Sequence, residues 1–122
     1  MTLKVLAIDA DPNMTKLLHL LLSGYGLEVI PANASELGLE LARSENPDLV
    51  TLDLMMPDIN GRQLCKMIRS FSKVPIIIIS ALDDPASIAR GMNSGADDYL
   101  FKPVSVTMLI ACIKKFTGND NI

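Results

Sequence analysis

The run "VPIIIIS", residues 74–80, decides how this chain must fold. A strand with one wet face alternates apolar and polar residues; this run is apolar almost throughout. It has to be covered on both faces, as parallel strands are when helices cross over them. With Ala81 and Leu82 the apolar stretch reaches nine residues, well short of the about 20 that a membrane-crossing helix needs. Its last strand residue, Ser80, is polar, and that polar end recurs along the chain.

Working outward, four more β-like runs flank it: "LKVLAI" (3–8), "LEVIPA" (27–32), "DLVTLD" (48–53) and "DYLFK" (98–102). Helical patterns fill the spaces, over 12–23, 34–44, 61–70, 85–94 and 106–116. Leu17, Leu18, Leu21 and Leu22 give the first helix a broad apolar face, with Gly24 and Gly26 to stop it. The second turns Leu37, Leu41 and Ala42 inward, and the third Leu64, Met67, Ile68 and Phe71. The fourth is capped by Asp83 or Asp84 and stopped by Gly95. Leu109, Ile113 and Phe116 form the sheet-facing stripe of the fifth. Strand and helix alternating five times predict a doubly wound α/β domain, and right-handed crossovers leave few topologies. The expected arrangement is a flavodoxin-like (βα)5 parallel sheet in the order 2-1-3-4-5. One domain covers 1–122, with a frayed polar tail at 117–122.

Of the 122 residues, 49% are hydrophobic and 20% charged, with a net charge of -3. That composition supports a folded core and gives no attraction to a polyanion, so nucleic-acid binding by this domain alone is not expected. The start lacks a signal-peptide pattern, which predicts a cytoplasmic protein without membrane association. Cys65 and Cys112 stand far apart in apolar surroundings and read as buried or interfacial thiols rather than a zinc site.

The strand ends carry the chemistry. The first run ends in Asp9, the third in Asp53, the fourth in Ser80 and the fifth in Lys102. Ligands of open α/β sheets bind beyond the carboxyl ends of the strands, where the strand order switches. Neighbouring strands lie about 5 Å apart, so Asp9 and Asp53 would repel unless a proton or a cation intervened. A hard divalent cation with oxygen ligands, most simply Mg²⁺, suits that position. The cation would also let a phosphoryl group approach, with Lys102 and Ser80 ready to meet its oxygens. Pro57 and Gly61 place an exposed loop just after Asp53, which leaves its carboxylate open as a nucleophile toward phosphorus.

The motifs "AIDADPN", "PDLVTLDLMMPDINGRQLC", "PIIIISA" and "GADDYLFKP" together resemble a response-regulator receiver domain of two-component signalling, over the whole chain. The last is most similar to OmpR/PhoB-type receivers, transcription regulators with a DNA-binding output domain. The resemblance implies a phosphoacceptor switch rather than an enzyme, and a sensor histidine kinase as partner. It makes Asp53 the phosphoacceptor, and Asp9 and the Met55 backbone carbonyl further ligands of Mg²⁺. Ser80 becomes the switch hydroxyl, Tyr99 the switch aromatic, and Lys102 the conserved-type lysine before a commonly cis Pro103. It also implies a dimer through the fourth helix, fifth strand and fifth helix. Here Ile88, Met92, Met108 and Cys112 suggest an apolar version of that interface.

One departure matters. Such receivers usually carry two adjacent acids after the first strand, and the second is Ala10 here. Asp11 next to Pro12 reads as the helix cap, with a reach back to replace the missing ligand as the alternative. Mg²⁺ binding is therefore expected to be weak, and a pseudo-receiver that is never phosphorylated is the alternative. Met55 and Leu82, two residues after Asp53 and Ser80, are apolar and cannot orient a hydrolytic water, which predicts a long-lived acyl phosphate. The Asp9-Ala10-Asp11 pattern also resembles the nucleophile and acid of haloacid-dehalogenase phosphatases, but that reading leaves Asp53 and its loop unexplained. His19 lies away from the strand ends, Asp58 reads as solvated, and Asp97 and Asp98 read as a turn or a surface ion pair.

Overall fold

The computed structural model describes residues 2–122. Five strands, β1 (Lys4–Ile8), β2 (Glu28–Ala32), β3 (Leu49–Leu52), β4 (Ile76–Ser80) and β5 (Asp98–Phe101), alternate with five helices. These are α1 (Pro12–Ser23), α2 (Ser35–Ser44), α3 (Gly61–Arg69), α4 (Pro85–Asn93) and α5 (Val106–Thr117). The sheet is parallel throughout, in the order β2-β1-β3-β4-β5. This is the flavodoxin-like arrangement read from the apolar runs.

Residues of each strand point alternately to two packed layers. Val5 and Ala7 join Leu18 and Leu22 of α1 and Leu109 and Ile113 of α5 on one side. Leu6 and Ile8 join Ala42 of α2 and Leu64 and Ile68 of α3 on the other. Ile76 to Ile79 are all buried, divided between the two faces, which is why "IIII" makes a strand and not half of one. α4 approaches β4 at Gly91, where a methyl would stand 2.9 Å from Ile78 Cδ1.

Three helix faces differ from expectation. On α1 the buried positions are Thr15, Leu18 and Leu22, and Leu17 is 43% exposed. On α2, Leu37 is turned out and Gly38 turned in, because Ile8 Cδ1 lies 2.7 Å from where a Cβ would be. The helix meets the sheet too closely there for a leucine. After α3, Phe71 lies outside the core with the Arg43 guanidinium 4.5 Å above its ring. Each strand also begins or ends a residue or two inside its apolar run. The tail after Thr117 has no helix or strand, yet Ile122 packs against the core on the α5 side.

Candidate functional site

Parallel pairing of Ile8 with Leu52 sets the next residues, Asp9 and Asp53, side by side at the sheet's carboxyl edge. Both are buried, and both backbones are pinned: the Asp9 N–H donates to Ala32 O and the Asp53 N–H to Ile8 O, each at 3.0 Å. Lys102 follows β5, its N–H donating to Ser80 O at 2.9 Å. From there its ammonium reaches Asp9 Oδ2 at 2.8 Å and Asp53 Oδ2 at 2.9 Å. The cation between the two carboxylates is thus supplied by the chain itself. Burial alone would lower the Lys102 pKa, but the hydrogen bonds and charges of Asp9 and Asp53 prevail and hold it above its usual value.

The other carboxylate oxygens are used locally. Asp9 Oδ1 accepts the Asp11 N–H at 2.9 Å, and Asp53 Oδ1 accepts the Met55 N–H at 3.1 Å. The Met55 side chain is exposed. Ala10 is half-buried against the α2–α3 layer and adds no oxygen. Among the described residues no group of three or more His, Cys, Asp or Glu side chains could hold a metal. Asp9 and Asp53 supply two carboxylates to this edge. Asp11 accepts the Asn13 N–H at 2.9 Å and caps α1, as its place before Pro12 predicts.

Ser80, expected to converge with these three, ends β4 and makes its side-chain hydrogen bond within its own turn. Fully buried, its hydroxyl accepts the Leu82 N–H at 3.2 Å. The Tyr99 hydroxyl donates to the Leu82 carbonyl at 2.6 Å. Leu82 therefore joins the two residues read as a switch. Burial raises the Tyr99 phenol pKa, partly opposed by the nearby Ser80 hydroxyl. The Lys102-Pro103 peptide is cis.

Asp58 is exposed, as expected, but it also does structural work. Its carboxylate accepts the Ser35 N–H at 2.9 Å and the Glu36 N–H at 3.2 Å, while the Ser35 hydroxyl donates to Ile59 O at 2.6 Å. Asp58 caps α2 across space because the residue at the cap position, Ala34, has no side-chain acceptor. Partial desolvation would raise its pKa, but these N–H donors outweigh that and lower it to about 2. The loop after Asp53 is thereby tied to α2. An uncapped Ala34-Ser35-Glu36 start was the signal for this in the sequence. Asp97 does form the ion pair, with Arg69 at 2.7 Å, and also accepts the Ile76 N–H at 2.8 Å.

Of the four residues read as an apolar interface, Met92 and Met108 are exposed and Ile88 is half-buried. Cys112 is not on that face. It is 8% exposed, and its Sγ lies 3.3 Å from Asp98 Oδ2. Burial, reinforced by Asp98, pushes the thiol pKa up to about 11, so it stays protonated. Phe101, 49% exposed at the end of β5, belongs with Met108 instead and was missed because it alternates outward on an edge strand. His19 is exposed beside a groove of about 380 Å³ along α1 and β2, away from the strand ends. No helix among the described residues is long and apolar enough to cross a membrane.

Residues 5–114 match the family model described as the response regulator receiver domain. The DNA-binding response regulator MtrA of Mycolicibacterium smegmatis is 36% identical over 91% of this chain and 49% of its own length. The chain spans about half the length of the curated relatives it matches. A two-component response regulator from Clostridium difficile superimposes with a TM-score of 0.92 at 31% identity, covering 99% of this chain and all of that one. The DrrB receiver domain, solved as a BeF3-activated form, gives 0.86 at 31% identity, over 98% of this chain and all of that one.

Proposed function

The chain belongs to the response regulator receiver domain family, and from that premise we propose that Asp53 accepts a phosphoryl group from the phosphohistidine of a sensor histidine kinase. The observation that carries this is the Lys102 ammonium held 2.8 Å and 2.9 Å from the carboxylates of Asp9 and Asp53. An Asp53 oxygen attacks phosphorus as the P–N bond to the donor imidazole breaks, forming an acyl phosphate. Lys102 then offsets charge that grows on the phosphoryl oxygens. Asp9, Asp53 and the Met55 carbonyl fit Mg²⁺ as a sparse oxygen set; when bound, the ion neutralises the crowded anions.

The Ser80 hydroxyl turns from accepting the Leu82 N–H to donating its own hydrogen to a phosphoryl oxygen. That disturbs the Tyr99–Leu82 link and shifts the population of the α4–β5–α5 surface. Ile88, Met92, Phe101 and Met108 give this surface its apolar character and suit it to a homodimer. DNA-binding output, printed in the name of the MtrA relative, is the output proposed for a protein carrying this receiver. The domain acts as a cytoplasmic switch whose only catalysis is on itself.

The second reading is a binding module that is not phosphorylated, and Ala10 is what favours it. Incubation with acetyl phosphate and Mg²⁺, followed by mass detection, separates the two. The phosphoacceptor reading expects one added phosphoryl group, absent from Asp53→Asn. No adduct and no beryllofluoride binding would leave the binding module.

A further inference from the structure

Between α3 and α4 lie two adjoining depressions of about 170 and 150 Å³, and Arg62 and Arg90 line both. Lys66 joins them in the second, one helical turn beyond Arg62. All three are exposed, and among the described residues none has a carboxylate within salt-bridge distance. No acid lines either depression. The acid that feels Arg90 is Asp84, whose carboxyl is held below its usual range first by the hydroxyl and N–H of Ser87 and last by Arg90. In a chain of net charge -3, a face with three unpaired cations is a local reversal of sign.

We infer that this α3–α4 groove docks an acidic segment of a partner protein. The layout favours a segment over a small anion. Exposed cations hold a lone anion weakly in physiological salt. A chain with repeated carboxylates meets several at once and excludes water from the apolar floor. Arg62 and Lys66 stand about 6 Å apart along the helix, close to the about 7 Å between alternate residues of an extended strand.

The floor of the first depression is Leu54, next to Asp53, and Leu82. Leu82 gives its N–H to Ser80 and its carbonyl to Tyr99. An occupant pressing on Leu82 therefore bears on both switch residues. This coupling rests on the phosphoacceptor reading; the docking does not.

The test uses the whole 122-residue chain and a short fluorescein-labelled peptide of alternating glutamate and alanine, followed by anisotropy and amide NMR. Saturable binding is expected, with shifts at Leu54, Arg62, Lys66, Leu82 and Arg90. Affinity should fall about tenfold in Arg62→Ala/Arg90→Ala, two exposed pairs being lost, with circular dichroism unchanged. Absence of saturable binding, shifts at other residues, or full affinity in the double variant would overturn the docking. Equal shifts from inorganic phosphate at matched ionic strength would overturn it in favour of a small-anion site. Self-association abolished by the same variant would overturn it in favour of a second copy. With beryllofluoride bound, peptide affinity should change about fivefold or more; an unchanged affinity overturns the coupling alone. Failure of beryllofluoride to bind defeats the phosphoacceptor reading, and the peptide result still decides the docking.

Discussion

The Lys102 ammonium lies 2.9 Å from Asp53 Oδ2, and the same nitrogen lies 2.8 Å from Asp9 Oδ2. The two acids are buried and the lysine is about a quarter exposed, so this is a half-enclosed triad and not a surface ion pair. Removing its centre leaves like charges facing each other. Lys102→Met should cost about 2 kcal/mol at pH 7, less than a fully buried pair would because water reaches the ammonium. The variant should regain stability as pH falls from 7 to about 5 and one acid takes a proton. Wild type should not, since its lysine, with a raised folded pKa, keeps its contribution at every pH below the ordinary lysine value. Urea denaturation at the two pH values checks both statements.

Gly61 opens α3 directly beneath the phosphoacceptor backbone. A Cβ there would stand 2.3 Å from Asp53 O and 2.5 Å from Leu54 Cα. Backbone cannot turn aside as a side chain does, so Gly61→Ala must push the helix off the strand end. A loss of about 3 kcal/mol is expected, together with slower phosphorylation by acetyl phosphate than wild type. Both follow from denaturation curves and initial rates on one preparation.

Asp58 ties the loop after Asp53 to α2, and the tie is charge-dependent. Its folded pKa is lowered from 3.8 to about 2, so its contribution is present above the unfolded value and lost as pH falls through the folded one. Asp58→Ala should lower Tm by a few degrees at pH 7, as expected for a lost cap. The difference from wild type should shrink between pH 4 and pH 2. A difference that stays constant across that range would mean the carboxylate is not what holds Ser35 and Glu36.

The alternation of strand and helix and the three members of the triad were readable because each depends on local pattern, and right-handed crossovers left the observed sheet order among few choices. Runs such as "IIII" need two covered faces, and polar residues at strand ends can only lie at one edge. What escaped notice depends on distance in space. Leu37 and Gly38 exchange places because Ile8, some thirty residues earlier, decides how near α2 can come. Cys112 turns inward because Asp98 stands there to meet its thiol. The Ser80 hydroxyl accepts the Leu82 N–H from its own turn, a preference that apolar periodicity does not record.

Met55 is exposed and Leu82 half-buried, and neither side chain offers a group to orient water. Once formed, the phosphoryl group should outlast minutes. Met55→Glu, which places a base nearby without touching the fold, should shorten its life by about tenfold or more. Loss of the phosphorylated mass with time in Mg²⁺ buffer measures this, and a wild-type half-life of seconds would contradict it.

Ala10 offers the sharpest test of the cation site. Its neighbours Asp9 and Asp11 have each committed an oxygen, Asp9 Oδ1 to the Asp11 N–H and Asp11 Oδ1 to the Asn13 N–H. Asp9 Oδ2 is held by Lys102. An incoming divalent cation therefore has to compete with the lysine for the same oxygens, with no spare carboxylate to make up the difference. Ala10→Asp adds that carboxylate at a half-buried position on the rim. Mg²⁺ should bind about tenfold more tightly in the variant, the scale at which ligand-supporting groups act. Mn²⁺ titration of the two proteins, read by amide broadening around Asp9 and Asp53, gives the ratio. Equal affinities would mean that Lys102, and not the missing acid, sets the occupancy of the site, and Lys102→Met in the Ala10 background would then be the variant that tightens binding.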